Sequence, residues 1–394
     1  MFRIALILGL MSAVGPFAID MYLPALPQIA ADLNASVASV QGTITAFFLA
    51  FGLSQLVYGP WSDQVGRKLP IYVGLAVFVL GSLGCLWAPT IGWLTAFRFV
   101  QGLGAAVVMV LPRAIVRDLY TGNDGTRLMA MIMLVISVSP MLAPLAGSLL
   151  LLIADWRALF AVFVVAALAS LSMARFALPE TLPSDNRVAV NGANLIRGCK
   201  TLLTDRGFMA LTLVGAFGMA SFFVFIASGS FVYTGEFGLS PIGFSLAFAV
   251  NAIGFFGASQ MAAPIGEKFG MVRVVRMAVL GFAGSTLFLL ALGLAGLVNL
   301  YVLVAMLFCA NAFLGLVIPT TMVLALEEHG EIAGLASSLG GMLQMLIGGL
   351  MVTVVGPFFD GTALPMVAAI ALCGVLALGV SAAMIRPQRM PAPS

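Results

Sequence analysis

The chain has 394 residues, 62% hydrophobic and only 8% charged, against roughly 25% charged in a soluble domain, so water is not the main solvent of its surface. The formal charge of +3 is small, and its basic residues are scattered among short loops, which leaves a nucleic acid no patch to bind. Lipid remains as solvent, and apolar runs of about 20 residues, rather than alternating ten-residue segments, select helices over a barrel.

The first apolar segment, near 4 to 25, has Arg3 ahead of it and imitates a secretory signal peptide. Asp20, Pro24 and Pro27 stand where a small-residue cleavage site belongs, and another span follows at once, so the segment reads as a retained first helix. Met1 lies almost at its start, which leaves a longer natural N-terminus open. Five more spans are expected near 41 to 60, 70 to 88, 92 to 112, 129 to 152 and 157 to 177, and six near 207 to 232, 243 to 264, 273 to 292, 296 to 322, 333 to 355 and 362 to 385. The stretch 179–206 is the one long polar segment and reads as a linker between a half at 1–178 and a half at 207–394 with a short tail. The expectation is an all-α membrane protein of about twelve transmembrane helices in two six-helix halves. Cys85, Cys199, Cys309 and Cys373 fall in different segments without metal or redox spacing and read as free thiols.

Twelve spans that start in the cytoplasm assign every loop a side. Of the 18 basic residues only Arg157 then faces outside and only Arg98 lies within the membrane; both termini are expected in the cytoplasm. Pro60, Asp63 and Gly66 after the second span are matched by Pro264, Glu267 and Gly270 after the eighth, each 204 positions on. The halves read as copies, an arrangement used by alternating-access transporters with a site at mid-membrane.

Gly59-Pro60-Trp61-Ser62-Asp63-Gln64-Val65-Gly66-Arg67-Lys68 resembles the loop signature G-x-x-x-D-R-x-G-R-K of the major facilitator superfamily, with Gln64 where the family usually has Arg. Leu94, Arg98, Gln101, Gly102 and Gly104 resemble its second motif, L-x-x-x-R-x-x-Q-G-x-G. Asp20 to Pro27, Arg117-Asp118 and Trp156-Arg157 resemble the Bcr/CflA branch of drug exporters. Pro140, Pro144 and Gly147 resemble the antiporter motif, with small Ser139, Ala143 and Ser148 replacing its glycines. The resemblance implies the major facilitator fold and a proton-coupled multidrug antiporter of a bacterial inner membrane that confers antibiotic resistance. Its implied cargo is a small amphipathic drug, phenicol- or bicyclomycin-like; export of a sugar, amino acid or other metabolite is the alternative.

Asp20 is the expected proton carrier. A carboxylate in a spanning helix costs at least about 2.5 to 3.5 kcal/mol and is expected to face a cavity and have a role; the plain alternative is that it caps a broken helix end before Pro24. Arg98 is its expected partner, since both lie about 7 to 9 Å from the outer ends of their helices by residue count; otherwise Arg98 snorkels or bonds backbone carbonyls. Gln101 would extend this polar network, and Tyr22, Gln101, Phe222, Phe225 and Asn311 are the expected substrate-cavity residues, although such aromatics can also simply face lipid. The second half has Val224 and Val302 at the positions 204 after Asp20 and Arg98, so coupling rests on the first half.

By resemblance, Gly59, Asp63, Gly66, Arg67 and Lys68 gate the cytoplasmic side, with Asp63 facing the helix end near 330–333; as topology signals Arg67 and Lys68 need no such role. Pro140, Pro144 and Gly147 would pack the fifth span on the eighth as part of the moving seam, or merely pack closely. No cofactor is expected, and no Walker-type phosphate loop is present, so the proton gradient is the expected energy source. The expected partners are the drug, protons and the bilayer, with the chain a monomer. An integral-membrane enzyme is the rival class, but His329 beside Glu327, Glu328 and Glu331 reads as a solvated loop.

Overall fold

Backbone groups in lipid can bond only to one another, and the apolar runs accordingly close as helices. A computed structural model describes residues 2–120, 122–187, 192–327 and 329–384; Glu328, Arg386 and Arg389 lie outside them. Among the described residues twelve helices are long and apolar enough to cross a membrane. They are α1 (Arg3–Asp32), α2 (Val37–Val65), α3 (Lys68–Leu86), α4 (Ile91–Leu119), α5 (Arg127–Leu150), α6 (Arg157–Phe176), α7 (Arg206–Glu236), α8 (Pro241–Phe269), α9 (Met271–Leu294), α10 (Leu300–Glu327), α11 (Gly330–Phe358) and α12 (Ala363–Ala383).

Each expected span has its helix, and several run further than hydropathy alone suggests. α1 reaches Asp32, and α4 passes through Pro112 to Leu119. Prolines also lie inside α2, α5, α8 and α10 without ending them, because neighbouring helices and polar side chains can satisfy the carbonyl a proline leaves free. The division of α9 from α10 is built from local chemistry. Gly296 adopts φ +70 while Leu297 N–H donates to the Leu292 carbonyl at 2.9 Å, a left-handed helix stop; Asn299 Oδ1 then caps α10 by accepting from Val302 N–H at 3.0 Å.

The packing repeats with a step of six helices. α1 lies on α5, α2 on α4, α3 on α4 and α6; likewise α7 lies on α11, α8 on α10, and α9 on α10 and α12. Two seams join the first six helices to the last six, α2 against α11 and α5 against α8, and the same step exchanges one seam for the other. The Asp63–Lys68 turn marks one end of the bundle, the basic end. At the opposite end polar bonds cross between the halves: from α2 to α7, Gln41 Nε2 donates to the Ala227 carbonyl at 3.3 Å and to Ser228 Oγ at 3.1 Å, and in the α5–α8 seam Ser148 Oγ bonds the Pro241 carbonyl at 2.9 Å and Ser245 Oγ at 2.8 Å. A linker helix, Gly192–Thr204, packs on α7 and α11 at the basic end.

Candidate functional site

The first helical stretch of α1 ends at Asp20 and resumes through a 3-10 turn at Leu23–Ala25 before Leu26–Asp32. The cause is Pro24, which has no N–H for the carbonyl four residues back, that of Asp20, and Pro27 repeats the defect at Leu23. A helix break inside a bundle is tolerated only where protein or a cavity surrounds it. Asp20 is 4% exposed, and among the described residues no hydrogen bond or ion pair reaches its carboxyl.

Arg98 is fully buried among the first-half helices. Its Nη1 donates to the Ala18 carbonyl at 3.1 Å and to Gln101 Oε1 at 2.5 Å, and its guanidinium lies between the rings of Tyr22 and Phe47, 4.5 and 4.4 Å from their centroids. Both rings present a negative face to the cation. Gln101 passes the network on, donating to Ser82 Oγ at 2.7 Å. Nε and Nη2 of Arg98 have no partner, and no carboxylate lies within ion-pair distance among the described residues.

The expected Asp20–Arg98 pair is therefore not formed. The depth estimate fails because α1 continues past its break: Asp20 lies twelve residues from the end at Asp32, about 18 Å, whereas Arg98 lies seven from the start of α4 at Ile91, about 10 Å. The long Arg98 side chain spans the difference and meets the α1 backbone at Ala18. Of the readings open at the sequence level, bonding to a backbone carbonyl is the one this conformation contains.

The expected cavity residues scatter. Tyr22 is fully buried, its hydroxyl bonded to Thr43 Oγ1 at 2.9 Å, and together with Gln101 it belongs to the interior of the first half. Phe225 is buried against Phe248, the rings parallel within 6° at 5.5 Å, and Phe222 stacks on Phe255 at 6.0 Å; both serve the α7–α8 interface. Asn311 is 5% exposed on α10. A 470 Å³ groove between α8 and α10, lined by Gly243, Ala247, Tyr301 and Phe308 among others, and a 260 Å³ pocket at the end opposite the basic one, lined by Pro24, Gln28, Thr234 and Pro241 among others, include none of them.

The expected gating residues form a tight knot at the basic end. Arg67, 3% exposed, donates from Nε and Nη2 to the two Asp118 oxygens at 2.8 and 3.1 Å, and from Nη1 to Asp63 Oδ1 at 2.5 Å and Ser62 Oγ at 2.7 Å. Burial works against its charge, but the bonds to Asp118 and Asp63 outweigh it and hold the guanidinium above its ordinary value. Thr181 Oγ1 adds a bond to Asp118 at 3.0 Å. The knot thus ties the α2–α3 turn to the end of α4 and to the segment after α6. Asp63 pairs with Arg67 in its own turn, and no bond among the described residues takes it to 330–333. Lys68 Nζ reaches the Arg175 carbonyl at 3.4 Å. On α2, Gly59 faces Ser338 of α11.

Two predictions arise here. Gly66 has φ +96, ψ 169, and a Cβ there would strike the Glu180 carboxylate and Arg187. Gly66→Ala is expected to cost about 1–3 kcal/mol, read as lowered thermal stability of the purified protein. Glu180 accepts backbone N–H bonds from Arg67 at 2.8 Å and Lys68 at 3.1 Å. Burial raises its pKa, but these bonds and those from Thr181 and Leu182 win and hold it below the usual value. A carboxyl held below its unfolded value, about 4.3, adds stability at every pH above that value and loses it as pH falls through the lower folded value. The melting difference between wild type and Glu180→Gln should hence be constant from neutral pH to about 5 and shrink below about 4.

In α5 the motif residues have clear neighbours. Gly147 lets the Met21 carbonyl, at the α1 break, approach where any Cβ would collide, and Ser148 makes the α8 contact already described. Several contributors escaped the sequence reading. In the sequence Asp118 shows only as part of a family motif, and Glu180 and Thr181 only as linker. Asp32 accepts from Trp156 Nε1 at 3.0 Å and Arg157 Nη1 at 2.8 Å; the clue was that Arg157 is the lone basic residue assigned outside. His329 Nε2 lies 3.7 Å from Asp205 Oδ1, and no metal-binding cluster occurs among the described residues.

The family model of the Major Facilitator Superfamily matches residues 8–353. The chain is 31% identical to a bicyclomycin resistance protein homolog of Haemophilus influenzae, covering 96% of this chain and 94% of that one. It is 33% identical to multidrug resistance protein D of Escherichia coli, covering 89% and 88%. Among solved structures a D-xylose-proton symporter superposes with a TM-score of 0.75 over 98% of both chains at 16% identity, a likeness of fold.

Proposed function

Because the chain belongs to the Major Facilitator Superfamily and is a multi-pass membrane transporter, we propose that it exports small amphipathic drugs, phenicol- or bicyclomycin-like, in exchange for protons. The observation that carries this reading is a pair of charges incomplete among the described residues: a buried, unbonded carboxyl at the break in α1 and, on α4, a buried guanidinium with two unpartnered nitrogens and no counter-ion. A buried cation lacking a partner is costly, and so is a buried anion. Each state of the cycle relieves one of them. With Asp20 protonated, Arg98 rests on the Ala18 carbonyl, Gln101 and two aromatic faces; with Asp20 ionised, the carboxylate draws the guanidinium away from Ala18, and α1 follows at residues 21–22, where its helix is already interrupted.

Such a shift changes how α1 meets α5 at Gly147, and α5 is one of the two seams between the halves, so proton loss biases which end opens. The named relatives lend the cargo class. On this reading 1–178 and 207–394 are the rocking units, 179–206 is the linker, the chain acts as a monomer, and the basic end and both termini face the cytoplasm of a bacterial inner membrane. The test is uptake of chloramphenicol and bicyclomycin into proteoliposomes with an inward-acid gradient. Accumulation that collapses with a protonophore is expected; uptake indifferent to the gradient would remove proton coupling.

A further inference from the structure

Among the described residues, one stacked pair of aromatic rings crosses the α2 seam. The face of α2 toward the second half reads Gln41, Thr45, Phe48, Gly52 and Gly59, and these meet Ala227 and Ser228 of α7 and Gly349, Met345 and Ser338 of α11. Nearly all of these contacts are polar or involve a glycine. Near the middle of both helices, however, the Phe48 ring of the first half stacks on the Phe223 ring of the second, centroids 4.1 Å apart and planes within 22°. Phe48 is 0% and Phe223 3% exposed. Gly348 of α11 makes the place for Phe223, since a Cβ there would overlap the ring. Toward the end opposite the basic one, Thr45 Oγ1 and Gln41 Oε1 follow on the same face of α2, both buried and without a hydrogen-bond partner.

Two stacked rings that belong to different halves must separate when those halves part at this end. Separation forfeits a ring–ring contact, and buried orphan acceptors add their own cost. A ligand with a flat ring replaces the one lost contact with two, and a donor on it satisfies an orphan. It therefore binds the parted state in preference to the closed one, and a ligand with such a difference in affinity drives the change. Resting on the export reading above, we infer that the Phe48–Phe223 pair is the ring-binding and specificity-determining element of the substrate path. It takes an aromatic ring between the two phenyl groups and the hydroxyl or amide donor of the same molecule on Thr45 or Gln41.

The test compares two alcohols that differ in the ring alone, 3-phenylpropanol and 3-cyclohexylpropanol, titrated against thermal unfolding of the purified full chain. The saturated compound is the more lipophilic, so unspecific partition favours it. Wild type is expected to bind the phenyl compound about three- to tenfold more tightly. Phe48→Leu and Phe223→Leu each remove the preference, whereas Phe282→Leu, equally buried but on α9, retains it and controls for general loosening of the core. Thr45→Val or Gln41→Leu weakens both alcohols alike. Equal binding of the two alcohols by wild type, a preference that survives both leucine variants, or its loss in Phe282→Leu overturns the inference. Gradient-independent transport with the ring preference intact overturns the proton-coupling reading and leaves this one standing.

Discussion

Asp20→Asn is expected to reduce gradient-driven drug accumulation in proteoliposomes to the level of protein-free vesicles while the protein folds and is purified as before. The substitution keeps size and hydrogen-bonding capacity and removes only the ability to exchange a proton. Since no described residue bonds the Asp20 carboxyl, the fold does not depend on its charge, and the amide is tolerated where the acid was. Drug-for-drug counterflow, which needs no net proton movement, should persist. Asp20→Glu should restore part of the accumulation, because a longer acid still titrates at the α1 break. Full accumulation by Asp20→Asn would show that the proton travels elsewhere.

The second large effect concerns stability. Asp118→Ala should destabilise the basic end by about 3 kcal/mol, the low end of what removing one partner of a buried pair costs. The loss leaves Arg67, 3% exposed, with only Asp63 as counter-charge, and Asp63 is 44% exposed and shared with water. Thr181 also loses its acceptor. The double substitution Arg67→Met, Asp118→Leu should recover much of the loss, because two apolar side chains of similar volume need no charge partner. Thermal unfolding of the two variants separates the possibilities. A double variant no better than Asp118→Ala would mean that the remaining partners of Arg67 matter more than the pair itself.

Much of the site was visible residue by residue and little of it as geometry. Asp20 and Arg98 stood out because charges are rare in apolar runs, and both are buried as that rarity implies. Their relation is not legible in the sequence, since counting residues from an assumed helix end takes no account of a helix that breaks and resumes. Aromatic character marks Tyr22 and Phe225 in the sequence, but aromatic side chains fill the interior of each half as readily as they line a channel. Phe48 escaped notice for the same reason: among 29 phenylalanines nothing local distinguishes the one whose partner lies in the other half.

Hydropathy by itself determined the twelve spans and the class of solvent, because in lipid every apolar run of sufficient length has one stable form, and matched residues 204 positions apart pointed to the repeat. Motif chemistry singled out the turn at Gly66, whose positive φ is a local backbone property. Only the tertiary structure decided which residues share a face across helices. It put Asp118 and Glu180 around Arg67, Ala18 and not Asp20 beneath Arg98, and Phe223 on Phe48. Those choices depend on the rotation and relative depth of neighbouring helices, which close packing of the whole bundle sets and which no single segment encodes.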